Sequence, residues 1–188
     1  MALNENERYN NNSGYGENTP WEMRALWKCF PEAKKIEKID DIELQRQGVD
    51  YKVYFSGNRF ICVDCKMHLY ASEVFVYECG DTRPVYKDYG WTNKNCHHLT
   101  DQLVWIIPAG NECFRYNFQD LINYQETEEF KNHKYAPDTK HYNGVTKNKY
   151  YRPDFIPIVK VENLFADNEV KPAVNIKKNC LDLDEYCN

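Results

Sequence analysis

The chain lacks long apolar runs, and no segment of its 188 residues approaches the length needed to cross a membrane. Its first residues, MALNENER, hold no apolar segment of the kind that directs secretion, so we expect a cytoplasmic protein. The glycine-rich G-x-x-x-x-G-K loop that cradles nucleotide phosphates is also missing, which argues against a nucleotide-driven motor and a nucleotide cofactor. At this length we expect one domain with a substantial core.

The chain also lacks an excess of basic residues. It has 24 lysines and arginines against 29 acidic residues, and its net charge is -5. This balance argues against a general nucleic-acid coat protein, because non-specific binding rests on lysine and arginine. It does not exclude an enzyme that acts on nucleic acid, since a metal ion or a local basic cluster supplies positive charge where it is needed.

Cysteine, by contrast, is not scarce: the chain has eight. In a reducing cytoplasm these are expected to be free thiols. An alternative is a zinc site that combines Cys62 and Cys65 with residues 96–98, Cys-His-His. Residues three apart on a strand point to opposite faces, so Cys62 and Cys65 cannot share one metal if both lie on a strand. The pattern therefore favours free thiols.

The strongest local pattern lies in residues 50–66, where two runs rich in β-branched and aromatic residues flank turn-forming residues at 56–58. This arrangement predicts a β-hairpin. Period-2 alternation places Asp64 and Lys66 on one face of the second strand. Asp50 opens the first strand, and antiparallel pairing returns it close to Asp64. Two carboxylates and a lysine are thus predicted to converge at the strand end.

Such a group has a recognisable chemistry. Mg²⁺ prefers carboxylate oxygens and keeps several waters, so two acids at a strand end suit this ion and the phosphate of a substrate. A lysine beside them suits the orientation of a water molecule or the stabilisation of a phosphoryl transition state. The alternative is a solvated cross-strand ion pair with no role in catalysis.

Residues 40–51, DDIELQRQGVDY, and residues 60–66, FICVDCK, resemble the PD-(D/E)xK nuclease superfamily. The chain is most similar to a branch found in phages and bacteria, which carries Gln-x-x-Gly-(Ile/Val)-Asp before the first strand and (Ile/Val)-Asp-x-Lys on the second. Two weaker marks are the acid that ends residues 74–78 and the pairs Gly90-Trp91 and Thr100-Asp101. The resemblance covers about residues 20–165. The chain departs from the family in having Val49 where the superfamily name has proline and Cys65 where the branch often has glutamate.

The resemblance implies an α/β fold of the restriction-endonuclease type, a mixed sheet flanked by helices. It further implies Mg²⁺- or Mn²⁺-dependent hydrolysis of DNA. By this resemblance Asp50 and Asp64 bind the metal, Lys66 positions or activates the water, and Gln45 and Glu78 support them, Glu78 as a further metal ligand. Many related enzymes form homodimers. The alternatives are a non-catalytic binding or inhibitor protein that keeps this scaffold, and a phage-encoded interaction protein.

Residues 1–18 are predicted to be a flexible arm, residues 19–165 the nuclease-like domain and residues 166–188 a tail. The domain is expected to begin with a helix, because Thr19-Pro20-Trp21-Glu22 matches a capping box with proline at the first helical position. Some relatives place a metal-site acid on this helix, but the cap is the favoured role for Glu22. Asp41 is expected either near the site or in a solvated turn.

The predicted sheet contains the hairpin, a strand at residues 73–78 and a buried central strand within residues 99–108. A helix is predicted for residues 114–131, with Asn117 as a candidate cap, and an edge strand for residues 155–159. Residues 133–152 mix cations with aromatic rings, which suits contact with nucleic acid but also an ordinary mobile surface loop. The candidate nucleic-acid-binding residues are Lys134, Lys140, Lys147, Lys149 and Arg152.

Overall fold

A computed structural model describes residues 19–68, 75–81, 99–135, 139–141 and 144–166. The predicted arm, nearly all of the predicted tail, and residues 90, 91 and 96–98 lie outside the described residues. The helices are α1 (Thr19–Cys29), α2 (Ile42–Arg46), α3 (Phe118–Tyr124) and α4 (Glu128–Asn132). The strands are β1 (Lys35–Lys38), β2 (Tyr51–Tyr54), β3 (Phe60–Met67), β4 (Phe75–Asp81), β5 (Gln102–Ile107), β6 (Glu112–Asn117), β7 (Thr139–His141), β8 (Gly144–Tyr151) and β9 (Val159–Glu162).

The strands form a mixed six-stranded sheet, with the order β1-β2-β3-β5-β6-β9, and a three-stranded sheet, with the order β4-β8-β7. In the larger sheet β3 and β5 run parallel, while every other neighbouring pair is antiparallel. The prediction of a mixed sheet flanked by helices is confirmed. The predicted set of strands in this sheet was wrong in one respect, because β4 pairs with β8 in the three-stranded sheet and does not belong to the six-stranded sheet.

The hairpin forms as predicted from β2 and β3. Ser56–Asn58 makes one turn of 3₁₀ helix between them, and Gly57 adopts a left-handed φ of 76° that glycine accepts without strain. β5 is the expected central strand, since it lies between β3 and β6 and its last five residues are buried.

Two predicted boundaries were wrong. The first part of the predicted helix over residues 114–131 is β6, and helical structure begins only at Phe118, where the Asn117 side chain accepts hydrogen bonds from the next turn as predicted. The late strand is an edge strand, as expected, but it begins at Val159, where the predicted strand ends. Residues 133–152, for which nucleic-acid contact and a surface loop were the two alternatives, contain the hairpin of β7 and β8.

Hydrophobic cores cover both faces of the six-stranded sheet, and β5 contributes to each by alternation. Val104 and Ile106 face the first core, which includes α1 and the β3 residues Val63 and Cys65. Leu103, Trp105 and Ile107 face the second core, which includes residues of β4, α3 and α4. Among the described residues, those of β1, β2 and β3 do not belong to the second core.

Candidate active site

The hairpin brings Asp50 and Asp64 together through its backbone. Tyr51 pairs with Val63, and the amide of Asp50 donates a hydrogen bond to the Val63 carbonyl at 3.0 Å. The amide of Cys65 in turn donates to Asp50 Oδ2 at 2.9 Å. Asp50 is therefore held against the strand segment that carries Asp64, as the sequence predicts.

Asp64 is completely buried, with an exposed fraction of 0%. Lys66 Nζ lies 2.8 Å from Asp64 Oδ1, so the two residues form an ion pair on one face of β3. Apart from Lys66, no donor among the residues that the structure describes forms a hydrogen bond with either carboxylate oxygen of Asp64. A buried carboxylate favours the presence of a cation beside it.

The pKa of Asp50 is raised to about 7, first by burial and then by the charge of Asp64, while Lys66 acts in the opposite direction. The two carboxyl groups are close enough for a hydrogen bond between them, which a shared proton would complete. Near pH 7 the Asp50 carboxyl group is therefore about half protonated. The electrostatics follow the rule that two adjacent acids do not both ionise readily.

Glu22 reaches the same cluster from α1. The Tyr51 hydroxyl donates a hydrogen bond to Glu22 Oε2 at 2.5 Å. Burial raises the pKa of Glu22, and Asp50 raises it further, whereas Lys38 and Lys66 lower it. The favoured role for Glu22 was a helix cap, and the side chain of its expected partner Thr19 lies outside the described residues. Its contact with Tyr51 is a role that the sequence pattern did not predict.

Gln45 and Asp41 have well-defined positions near this region. Gln45 is buried, and its Nε2 donates to the Ile39 carbonyl at 2.5 Å, which ties α2 to the chain that follows β1. Asp41 caps α2, since its carboxylate accepts hydrogen bonds from the amides of Glu43 and Leu44. Asp41 is therefore a helix cap, a role that neither alternative named.

Glu78 lies on β4, opposite Asn148 of β8, so its backbone belongs to the three-stranded sheet. Its side chain lies outside the described residues. The hairpin thus brings Asp50, Asp64 and Lys66 together in the six-stranded sheet, whereas Glu78 lies on a strand of the three-stranded sheet.

The candidate nucleic-acid-binding residues divide into three groups. Lys134 and Arg152 are exposed. Lys149 is only 2% exposed, and its ammonium donates to the carbonyls of Phe130, at 2.5 Å, and Lys131, at 3.3 Å. In the described conformation it therefore holds the end of α4 and is directed away from solvent. The remaining two, Lys140 and Lys147, lie on β7 and β8 with side chains outside the described residues.

The donor set of the hairpin fits a hard divalent cation. Mg²⁺ is usually bound through one or two carboxylates and retains several waters, and Asp50 and Asp64 offer two adjacent carboxyl groups. No group of three or more His, Cys, Asp or Glu side chains within the described ranges is arranged to hold a metal ion. Cys62 and Cys65 are free thiols, and only Cys65 belongs to the buried first core.

Comparison with protein-family models, curated proteins and solved structures found no match to this chain. Within the residues that the structure describes, every helix is too short or too polar to span a membrane. The hairpin, with its two acids and its lysine, is the feature of the molecule that bears on function.

Proposed function

We propose that this protein is a metal-dependent nuclease of the PD-(D/E)xK type, with a restriction-endonuclease-like fold, that hydrolyses phosphodiester bonds of DNA. The observation that carries the proposal is the grouping around Asp64, a fully buried acid whose Oδ1 lies 2.8 Å from Lys66 Nζ. Beside it lie a second acid with a raised pKa and a lysine. Acids with a perturbed pKa beside a specific charge partner occur preferentially at functional sites.

In this proposal Asp50 and Asp64 hold Mg²⁺ or Mn²⁺. The bound ion would supply an acidified water and would offset negative charge on the phosphoryl oxygens. Lys66 stays within reach of Asp64 and directs its ammonium to the same point, where it orients the attacking water or stabilises the charge that develops. Burial of Asp64 strengthens each of these electrostatic contacts.

A second candidate function is a binding or inhibitor protein that keeps the scaffold without catalysis. The observation that favours it is that Lys66 already neutralises Asp64 at 2.8 Å, while the raised pKa of Asp50 leaves that residue partly protonated. Such a cluster is electrically complete without a metal ion. The two functions predict different effects of a metal ion, and of substitutions in the hairpin, on DNA cleavage.

The test is cleavage of supercoiled plasmid and of a labelled single strand in the presence of Mg²⁺, Mn²⁺ or EDTA. The nuclease should cut only with a metal ion, and both Asp64→Asn and Lys66→Ala should abolish cutting. Asp120→Asn is the matched control, because Asp120 is an exposed acid on α3, and it should cut like the wild type. A folded wild type that cuts neither substrate with either metal would overturn the proposal in favour of the binding protein.

A further inference from the structure

A group of aromatic rings and lysines lies on the same face of the six-stranded sheet as the candidate site. We call it the β2–β3 platform, and its members are Lys35, Lys52, Tyr54 and Phe60. Tyr54 pairs with Phe60 across the hairpin, and their ring centroids are 5.7 Å apart. Phe60 is 50% exposed, which is unusual for a phenylalanine on a strand. The platform therefore offers the exposed ring of Phe60 beside the half-buried ring of Tyr54.

A lysine accompanies each ring of the platform. Lys52 Nζ lies 5.3 Å from the centroid of Phe60, and Lys35 Nζ lies 5.2 Å from the centroid of Tyr54. Glu37 fixes the arrangement, because it accepts a hydrogen bond from the Tyr54 hydroxyl at 2.7 Å and pairs with Lys35 at 3.2 Å. Two cations against one acid leave an excess of positive charge around the rings.

The platform is continuous with the site. Phe60 and Asp64 lie on the same face of β3, four residues apart, because period-2 alternation brings every second side chain to one face. At about 3.3 Å per residue they are separated by about 13 Å. Bases stacked at about 3.4 Å per nucleotide span that distance in about four nucleotides.

We infer that the β2–β3 platform binds a single-stranded segment of nucleic acid that leads into the site, with unpaired bases stacked on Phe60 and Tyr54 and phosphates beside Lys52 and Lys35. Exposed rings flanked by cations have the chemistry that single strands require, since every base offers a flat face and every nucleotide a charge. Bases of a duplex are stacked on one another and offer no such face. This inference rests on the proposed function, which it extends by assigning a substrate class.

The test is binding of a labelled oligothymidylate in EDTA, followed by fluorescence anisotropy, and of a duplex of equal length. Phe60→Ala should weaken binding of the single strand about tenfold, the effect expected for the loss of one stacked base. Phe60→Trp should retain the affinity, and the duplex should be insensitive to both variants. Lys52→Ala should reduce the slope of log affinity against log salt by about 0.7.

Two matched controls exist in the chain. Trp27 is another exposed ring, 42% exposed, but it lies on α1, the helix that packs against the opposite face of the sheet. Lys160 lies 5.5 Å from the ring centroid of Phe114, as Lys52 does from Phe60, but Phe114 is buried and β9 is the far edge of the sheet. Trp27→Ala and Lys160→Ala should bind the single strand like the wild type.

The outcomes separate this inference from the nuclease proposal. Metal-dependent cutting together with binding that ignores Phe60→Ala would overturn the platform and leave the nuclease. Binding that depends on Phe60, with no cutting under any condition, would support the platform and overturn the nuclease. Failure of the wild type to bind the single strand would also overturn the inference, as would equal weakening of single strand and duplex by Phe60→Ala.

Discussion

The backbone amide of Cys65 donates a hydrogen bond to Asp50 Oδ2 at 2.9 Å, and this contact places the carboxyl group of Asp50 next to Asp64, the residue before Cys65. The donor belongs to the main chain, so the position of Asp50 depends on the register of the hairpin and not on the Cys65 side chain. That side chain points instead into the first core. Strand pairing and acid pairing are thus two results of the same register.

We expect the metal-free protein to lose stability as the pH rises from about 4 to about 7. The pKa of Asp50 is raised from 3.8 to about 7, so in this range the folded state binds more protons than the unfolded state. Its stability therefore falls with rising pH. A shift of this size corresponds to a change on the order of a few kcal/mol.

Urea denaturation across this pH range, compared between wild type and Asp50→Asn, checks the expectation. The variant keeps an oxygen for the Cys65 amide but does not titrate, so its free energy of unfolding should fall less between the two pH values. Parallel profiles for the two proteins would show that Asp50 does not carry the raised pKa.

Lys66→Ala should separate metal binding from catalysis. The substitution removes the cation beside Asp64 and leaves both carboxylates, so we expect cleavage to be lost by at least about a hundredfold. Mg²⁺ or Mn²⁺ should still raise the melting temperature at least as much as in the wild type, because both carboxylates remain. Metal binding to the folded state stabilises that state. Thermal unfolding with and without the metal measures this effect.

Asp64→Asn is the counterpart of Lys66→Ala, since it removes a carboxylate and keeps the lysine. Here the metal-induced rise in melting temperature should disappear. A rise that survives Asp64→Asn but not Lys66→Ala would contradict the assigned roles.

The hairpin could be predicted because its signals are local. Turn residues around Gly57 reverse the chain, and period-2 alternation places Asp64 and Lys66 on one face. The position of β4 could not be predicted in the same way, because it pairs with β8, a strand far along the chain. Nothing in the local pattern of either strand identifies such a partner.

The boundary of β6 shows a second limit. Phe114 and Phe118 are spaced like residues on one helical face, yet Phe114 and Tyr116 are buried by alternation along a strand. A short apolar run satisfies both periods, so the cap at Asn117 was the better signal for the start of the helix. The sequence assigned Glu22 to a helix cap because a cap is a local pattern. Its contact with Tyr51 depends instead on the packing of α1 against the sheet.

Lys149→Met should destabilise the protein. The Lys149 ammonium is buried and donates hydrogen bonds to two carbonyls at the C-terminal end of α4. A positive charge at this end also interacts favourably with the helix dipole. Loss of charged hydrogen bonds of this kind costs about 2 kcal/mol. Lys134→Met is the control, because Lys134 is exposed and its replacement should change stability little. Chemical denaturation measures both, and equal midpoints for the two variants would contradict a structural role for Lys149.

Tyr51→Phe should destabilise the protein more at neutral pH than at acid pH. The Tyr51 hydroxyl donates to Glu22 and lowers a pKa that burial raises, so its removal leaves a buried carboxylate without this donor. The raised pKa of Glu22 should rise further, and the added loss of stability should develop above the ordinary range of glutamate, as the pH rises through the raised pKa of Glu22. We expect about 1–3 kcal/mol at neutral pH.

Tyr54→Phe provides the matched comparison for Tyr51→Phe. Its hydroxyl also donates to a glutamate, but the side chain of Glu37 is 42% exposed, so water replaces the lost hydrogen bond. Urea denaturation of the two variants at acid and neutral pH should show a pH-dependent loss for Tyr51→Phe and little change for Tyr54→Phe. A loss for Tyr51→Phe that is equal at both pH values would mean that the hydroxyl acts through packing, and that the ionised state of Glu22 does not depend on it.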